Sequence, residues 1–154
     1  MSIANGSSLN FPSYQFRVKQ DDGNRYIFDV IRKKFIALTP EEWVRQHLVS
    51  FLIHDLNVPT GLIGVEVSFS FNSINHRADV VVYNKKGQPL LLAECKAPTV
   101  DITDDAVDQI CRYNYVLNAE YLIITNGIRH YILQLTKDNR WITLNNFPEI
   151  TNKI

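Results

Sequence analysis

Hydrophobic and polar positions alternate, recur and cluster along this chain in a way that predicts a definite order of elements. Tyr14 to Lys19 and Arg25 to Val30 flank the turn-forming cluster Asp21-Asp22-Gly23-Asn24, which predicts an N-terminal β-hairpin, and Phe35 to Leu38 add a short strand. Thr39-Pro40-Glu41-Glu42 then supplies a capping hydroxyl, a proline at the first helical position and acids beside the positive end of the helix dipole. From there Trp43, Val44, His47, Leu48, Phe51 and Leu52 recur at three- and four-residue intervals, predicting a helix to about Leu56, closed off by Pro59, Gly61 and Gly64.

Val65, Val67, Phe69 and Phe71 alternate with Glu66, Ser68 and Ser70, the pattern of a half-buried strand. Ala78 to Tyr83, the turn Asn84 to Gln88 and a strand from Pro89 complete a meander. Pro89-Leu90-Leu91-Leu92-Ala93 is apolar at every position, so this strand should be covered on both faces and lie centrally. After Pro98, the residues Asp101, Thr103, Asp104 and Asp105 open a second helix to about Leu117. Tyr121 to Thr125 is another buried strand ended by Asn126-Gly127, and Tyr131 to Leu135 and Trp141 to Leu144 form a terminal pair. The expected fold class is α/β, a mixed α+β sheet with helices packed on it.

Composition narrows the class. With 154 residues the chain forms one domain, and 45% hydrophobic content provides a real core. Sixteen Lys and Arg balance sixteen Asp and Glu, so any nucleic-acid contact has to come from a local patch. Two cysteines, Cys95 and Cys111, show no zinc spacing and fit small buried fillers. Met1 to Asn10 lack a charged start followed by an apolar stretch, and no apolar run reaches the roughly 20 residues of a membrane span, so a soluble, cytoplasmic protein without membrane contact is expected.

The chemistry concentrates in Glu94-Cys95-Lys96, where the apolar central strand turns charged. In an extended chain Glu94 and Lys96 share a face, about 7 Å apart at the backbone. Such a pair leaving a core strand is costly unless a partner or a metal compensates. A hairpin folded near Lys86 brings Asp79 level with Glu94, with a slip of one or two residues left open. Asp79 and Glu94 then form a carboxylate pair suited to Mg²⁺, with Mn²⁺ a substitute and the Cys95 carbonyl an added ligand. Lys96 would orient water or stabilise developing negative charge in phosphodiester hydrolysis.

These residues resemble the PD-(D/E)xK nuclease superfamily, whose core is helix, three strands, helix, strand. The blocks Thr39 to Gln46, Arg77 to Tyr83, Glu94 to Pro98, Asp108-Gln109 with Arg112-Tyr113, and Thr125 to Gly127 further resemble the N-terminal nuclease domain of type I restriction enzyme R subunits. The resemblance implies a restriction-endonuclease-like αβββαβ core over about residues 38–127. Residues 1–37 would then be an N-terminal β extension and 128–154 added C-terminal strands. It implies a metal-side role for Glu42, metal ligation by Asp79 and Glu94, and a catalytic role for Lys96. Gln109, four residues before Tyr113 on one helix face, matches a Gln-x-x-x-Tyr element placed beside the active site and the DNA backbone. Ala78 stands where the superfamily name has proline.

Duller readings stand beside these. An acid in a first helical turn such as Glu42 is explained by the dipole alone, with Glu41 its solvated neighbour. Gln109 and Tyr113 also fit a polar helix face and a packing aromatic. Arg77 shares a face with Asp79 and can contact phosphate or pair with an acid, and Glu66 can reach the site or face water. His47 and His54 lack a third ligand and fit packing better than metal binding. Arg32-Lys33-Lys34 and Lys85-Lys86 are basic clusters able to hold a nucleic-acid backbone if the fold brings them to one side; solvated loop charge is the simpler account.

The functional expectation is a metal-dependent DNA nuclease domain. Its partners would be DNA, a second copy of the chain, and separately encoded motor or specificity subunits, since the chain contains no phosphate-binding Gly-x-x-x-x-Gly-Lys-Ser/Thr loop. The rivals are a non-catalytic nucleic-acid-binding or assembly module that keeps the fold, and a hydrolase of a small phosphate ester.

Overall fold

The computed structural model describes residues 8–154, so the beginning of the N-terminal extension and most of the stretch without a secretory pattern lie outside the described residues. Two sheets are present. β1 (Val18–Asp21), β2 (Asn24–Asp29) and β3 (Lys34–Ala37) form a small antiparallel sheet. The expected hairpin is therefore shorter than Tyr14 to Val30, because the chain reverses within two residues: Asp22 and Gly23 both take positive φ and Asp21 pairs directly with Asn24.

α1 (Pro40–His54) starts as the sequence dictates, with the Thr39 hydroxyl accepting from the Glu42 amide. β4 (Ile63–Phe71), β5 (Ile74–Tyr83) and β6 (Pro89–Cys95) form the expected meander, and a tight turn at Asn72-Ser73, both at positive φ, lets β5 begin four residues earlier than its apolar run. α2 (Asp104–Leu117) is capped by Thr103 and ended by Asn118 in the left-handed conformation. It crosses over to β7 (Tyr121–Thr125), which runs parallel to β6, and β8 (His130–Leu135) and β9 (Trp141–Leu144) extend the sheet antiparallel. The Asn114 side chain fixes the return from α2 by bonding both the amide and the carbonyl of Ala119.

The six-stranded sheet has order β4-β5-β6-β7-β8-β9 with one helix on each face. Val44, Leu48 and Leu52 of α1 pack on Val80, Val82, Leu91, Ala93 and Ile123; Ile110 of α2 packs on Val81, Leu92, Leu122 and Ile124. Burial on both sides explains the unbroken apolar runs of β6 and β7.

One departure from simple alternation matters for the site. Val65 packs on the α1 side, but Val67 and Phe69 pack on the α2 side; opposite them Val80 faces α1 and Ala78 faces α2. Both strands thus change faces at the same level, at Glu66 and Asp79. Glu66 has φ +52, a left-handed conformation costly for a residue with a side chain, and this turns the pleat over. The alternation expected from Val65 to Phe71 is broken there, and the break puts two acids where the sheet opens.

Candidate active site

The sheet opens around Asp79. Cα pairing with β6 stops at Val80–Ala93, and the Glu66–Asp79 position is skipped between the Val65–Val80 and Val67–Ala78 pairs. The turn pairs Tyr83 with Pro89, and a one-residue bulge between Val82 and Tyr83 then shifts the register to Val80–Ala93, so Asp79 lies level with Glu94, within the slip left open from the sequence. Freed from the ladder, the Cys95 amide donates to Asp79 Oδ2 at 2.7 Å. A carboxylate that occupies a strand's missing partner position is held rigidly by backbone.

Glu94 leaves β6 on the α2 side. Its carboxyl is pushed up to about 9, first by burial and then by the charge and hydrogen bond of Asp79, against the opposing pull of Lys96 and Arg45. Two carboxyls sharing one proton is the expected state of a close like-charge pair without a compensating cation. Glu94 and Lys96 line a groove of about 180 Å³ with Arg77, Gln109, Tyr113 and His76. The Gln109 side-chain amide donates to the Tyr113 hydroxyl at 2.6 Å, and the Tyr113 ring packs against His76, Phe69 and Phe71. A larger cavity, about 570 Å³, is lined by Phe11, Phe51, His130 and Phe147 and contains no acid.

On the α1 side each acid already has an arginine beside it. Glu42 is buried and bonded by Arg32 at 2.6 Å and Gln46 at 3.0 Å, with Arg45 Nε at 3.4 Å. Arg45, only 4% exposed, also lies 3.1 Å from Glu66 and 3.6 Å from both Asp79 and Glu41. Its Nε and Nη1 meet these acids as charges, without the alignment of a hydrogen bond. Glu66 further receives Arg32 at 3.4 Å and Arg77 at 3.7 Å. Burial raises the Glu66 carboxyl, but the close approach of Arg45 and the charges of Arg32 and Arg77 bring it below its ordinary value.

The structure therefore brings Asp79, Glu94, Cys95, Lys96, Gln109, Tyr113 and Arg77 to one end of the sheet, and encloses Glu42 among arginines. The acid of α1 that senses the pair is instead Glu41: burial raises its carboxyl, Asp79 raises it further, and Arg45 and Lys96 oppose them. It is half-exposed but not merely solvated. Two other expectations change. Arg32 is not loop charge open to a ligand, because Asp29, Glu42 and Glu66 engage it; and Lys85-Lys86 sit in the β5–β6 turn, at the other end of the hairpin from Asp79 and Glu94.

Arg45 is the residue whose part the sequence did not disclose. It is a charged residue between the apolar positions Val44 and Leu48 of α1, and only its burial facing four acids on three elements reveals its work. His47 is confirmed as packing, with Trp43, Phe16 and Tyr14 around its ring. Cys95 is a buried filler, and Cys111 is half-buried. Among the described residues no group of three or more His, Cys, Asp or Glu side chains is placed to hold a metal. The donor set at Asp79 and Glu94 nevertheless fits Mg²⁺, which takes one or two carboxylates, keeps several waters and offsets the burial and like charge that hold the Glu94 carboxyl above its usual range.

A mixed sheet with this strand order, a helix on each face and an acid pair where the meander opens defines a restriction-endonuclease-like fold. Residues 40–149 match the family model described as type I restriction enzyme R protein N terminus, and the chain belongs to that family. Among solved structures it is similar to a fragment assigned to the HsdR subunit of a type I restriction enzyme from Vibrio vulnificus YJ016, with a TM-score of 0.52 and 19% identity, covering 73% of this chain. The chain spans 24% of that structure's length. No curated protein matches the chain with significance. No helix among the described residues is long and apolar enough to cross a membrane.

Proposed function

We propose that the chain is a divalent-metal-dependent deoxyribonuclease domain that hydrolyses phosphodiester bonds at the open end of the β5–β6 hairpin. The observation that carries this reading is the placement of Asp79 against Glu94 on neighbouring strands, with Lys96 in the same groove. Asp79 and Glu94 would hold Mg²⁺ or Mn²⁺, with the Cys95 carbonyl as a candidate third oxygen. When bound, the cation supplies positive charge at the scissile phosphate and acidifies water. The backbone amide of Cys95 fixes the orientation of Asp79. Lys96 orients the attacking water and offsets charge developing on the phosphate. Gln109 and Tyr113, joined to one another, form the α2 wall along which a strand's backbone passes, and Arg77, 70% exposed at its side chain, is free to turn from Glu66 to a phosphate.

Glu42 serves this site from behind, through Arg45, rather than as a direct ligand. DNA is the partner in this reading. Other type I restriction subunits are partners in this reading, and cutting of both strands calls for a second copy of the chain. The site faces the cytoplasm's pool of Mg²⁺ and DNA.

A second reading has its own observation. Glu42, Glu66 and Asp79 each have an arginine within 3.6 Å, so most of the acid cluster is balanced without a cation, as a non-catalytic binding or assembly module would require. Incubating plasmid and single-stranded DNA with the protein in Mg²⁺ or Mn²⁺ separates the two. The nuclease reading expects cleavage that Glu94→Ala and Lys96→Ala abolish; binding without cleavage in either metal supports the module.

A further inference from the structure

The N-terminal sheet lies outside the family match at 40–149, and its two faces differ in chemistry. Ile27, fully buried, lies on the inner face, opposite Val18 and Ile36. The outer face is set by the same register: Lys19 is opposite Tyr26, and Phe28 is opposite Phe35. Arg17 follows in line, its carbonyl accepting from the Phe28 amide. None of Tyr26, Phe28 and Phe35 belongs to either core cluster. Instead the Arg17 guanidinium lies 4.4 Å from the Phe28 ring centre, and the Lys19 ammonium 4.7 Å from that of Phe35 and 5.6 Å from that of Tyr26. Rings that hold cations in this way fix their position while leaving their donors turned to solvent.

Charge is distributed accordingly. The segment from Phe16 to Ala37 holds Arg17, Lys19, Arg25, Arg32, Lys33 and Lys34 against Asp21, Asp22 and Asp29, three positive charges in excess in a chain whose total is zero. Asp29 is spent on Arg32, and Asp21-Asp22 sit in the β1–β2 turn, at the end away from Lys33 and Lys34. Among the described residues Arg17, Lys19, Arg25, Lys33 and Lys34 make no ion pair with an acid, unlike Arg32 and Arg45. The β2–β3 turn is also the point at which this sheet is tied to the site, since Arg32 within it bonds Glu42 and lies beside Glu66.

We propose that the outer face of β1–β3 is a docking surface for the phosphate backbone of DNA, with Arg17 and Lys19 as its fixed contacts and Lys33-Lys34 leading the strand toward the groove at Glu94. This deepens the nuclease reading and rests on it for the identity of the polyanion. A run of cations on a ring-lined face fits a phosphate chain, and its connection through Arg32 to the acid cluster gives that chain a reason to lie there.

The test measures binding of labelled single-stranded and duplex oligonucleotides to the whole protein by fluorescence anisotropy. Ca²⁺ replaces Mg²⁺ so that the strand stays intact, and salt is varied. Arg17→Gln/Lys19→Gln should weaken binding roughly tenfold near 0.1 M salt, and should flatten the duplex salt dependence by about two in log–log slope. Lys33→Gln/Lys34→Gln, in the exposed turn, should act in the same direction, and Lys85→Gln/Lys86→Gln should bind as the parent does. Circular dichroism confirms that each variant is folded. Unchanged affinity and slope in both N-terminal pairs, or no DNA binding by the parent protein, overturns the surface. Plasmid cutting by the parent alongside unchanged variant binding sinks the surface and leaves the nuclease. Weakened variant binding with no cutting in Mg²⁺ or Mn²⁺ leaves the surface and sinks the catalysis.

Discussion

The two sides of the sheet at Asp79 arrange their charges oppositely. Toward α1, Arg32 and Arg45 reach Asp29, Glu41, Glu42, Glu66 and Asp79, so each acid there has a cation beside it. Toward α2, Glu94 is buried against Asp79 and settles by keeping its proton, with Lys96 close but insufficient. The first arrangement is complete and braces α1, the N-terminal sheet and β4 against one another. The second is incomplete, and an incomplete charge set in a groove is where a ligand of opposite sign has the most to contribute.

The largest expected effect comes from breaking the balanced side. Arg45→Ala takes from Asp79 and Glu41 the arginine beside them, leaves Glu42 and Glu66 with Arg32, and should cost about 3–5 kcal/mol in urea unfolding. Destabilisation below about 1 kcal/mol would mean the network is a surface feature. On the other side Glu94→Gln should leave the fold intact, since the amide keeps the volume and removes a buried acid, while reducing DNA cleavage by at least about a thousandfold; Lys96→Ala should lose about a hundredfold or more. Cleavage rates on one plasmid substrate decide this.

The contrast sharpens with metal. Mg²⁺ at about a hundred times its dissociation constant should stabilise the parent protein by about 2.7 kcal/mol in thermal unfolding and leave Glu94→Gln unmoved. Equal stabilisation of both would move the cation elsewhere. The smallest effect concerns pH and neither side of the site. Burial lowers the pKa of His47 and of His130 in the folded chain below the usual 6.5, while backbone hydrogen bonds to Trp43 and Asn10 oppose it. The unfolded chain therefore binds protons first as pH falls, so these residues contribute stability that is present above about 6.5 and is lost as pH drops through their folded-state values. Glu94, its carboxyl held up to about 9, works the other way over this range, so the test is made in Glu94→Gln: there the urea midpoint should decline between pH 7 and pH 5, and less so when His47→Gln/His130→Gln is added.

Much of this was legible in the sequence because local chemistry and tertiary context agree there. Thr39-Pro40 starts α1, the Asn84 to Gln88 turn sets the β5–β6 register, and the unbroken apolar run of β6 announces a strand covered on both faces. Counting from that turn brought Asp79 to the Glu94–Lys96 end of β6, and the bulge between Val82 and Tyr83, which nothing in the sequence announces, set it level with Glu94. What was not legible depends on one backbone torsion and on distant elements. Nothing in Val-Glu-Val says that Glu66 adopts φ +52 and turns two strands over together. The choice between Glu41 and Glu42 turned on a 100° step around α1 and on which acid Arg32, ten residues before Glu42 and in the β2–β3 turn, would claim. Arg45 and Arg32 are ordinary surface residues by type, and only the folded arrangement puts them under the site.

The central claim is that Asp79 and Glu94 together hold one divalent cation. Isothermal titration of Mn²⁺ into the protein, and into Asp79→Asn, Glu94→Gln and, as a control, the distant Glu120→Gln, tests it most directly. The account predicts one site per chain in the parent and in Glu120→Gln, lost or at least about tenfold weaker in each of the other two. Binding of equal strength in Asp79→Asn and Glu94→Gln would contradict it.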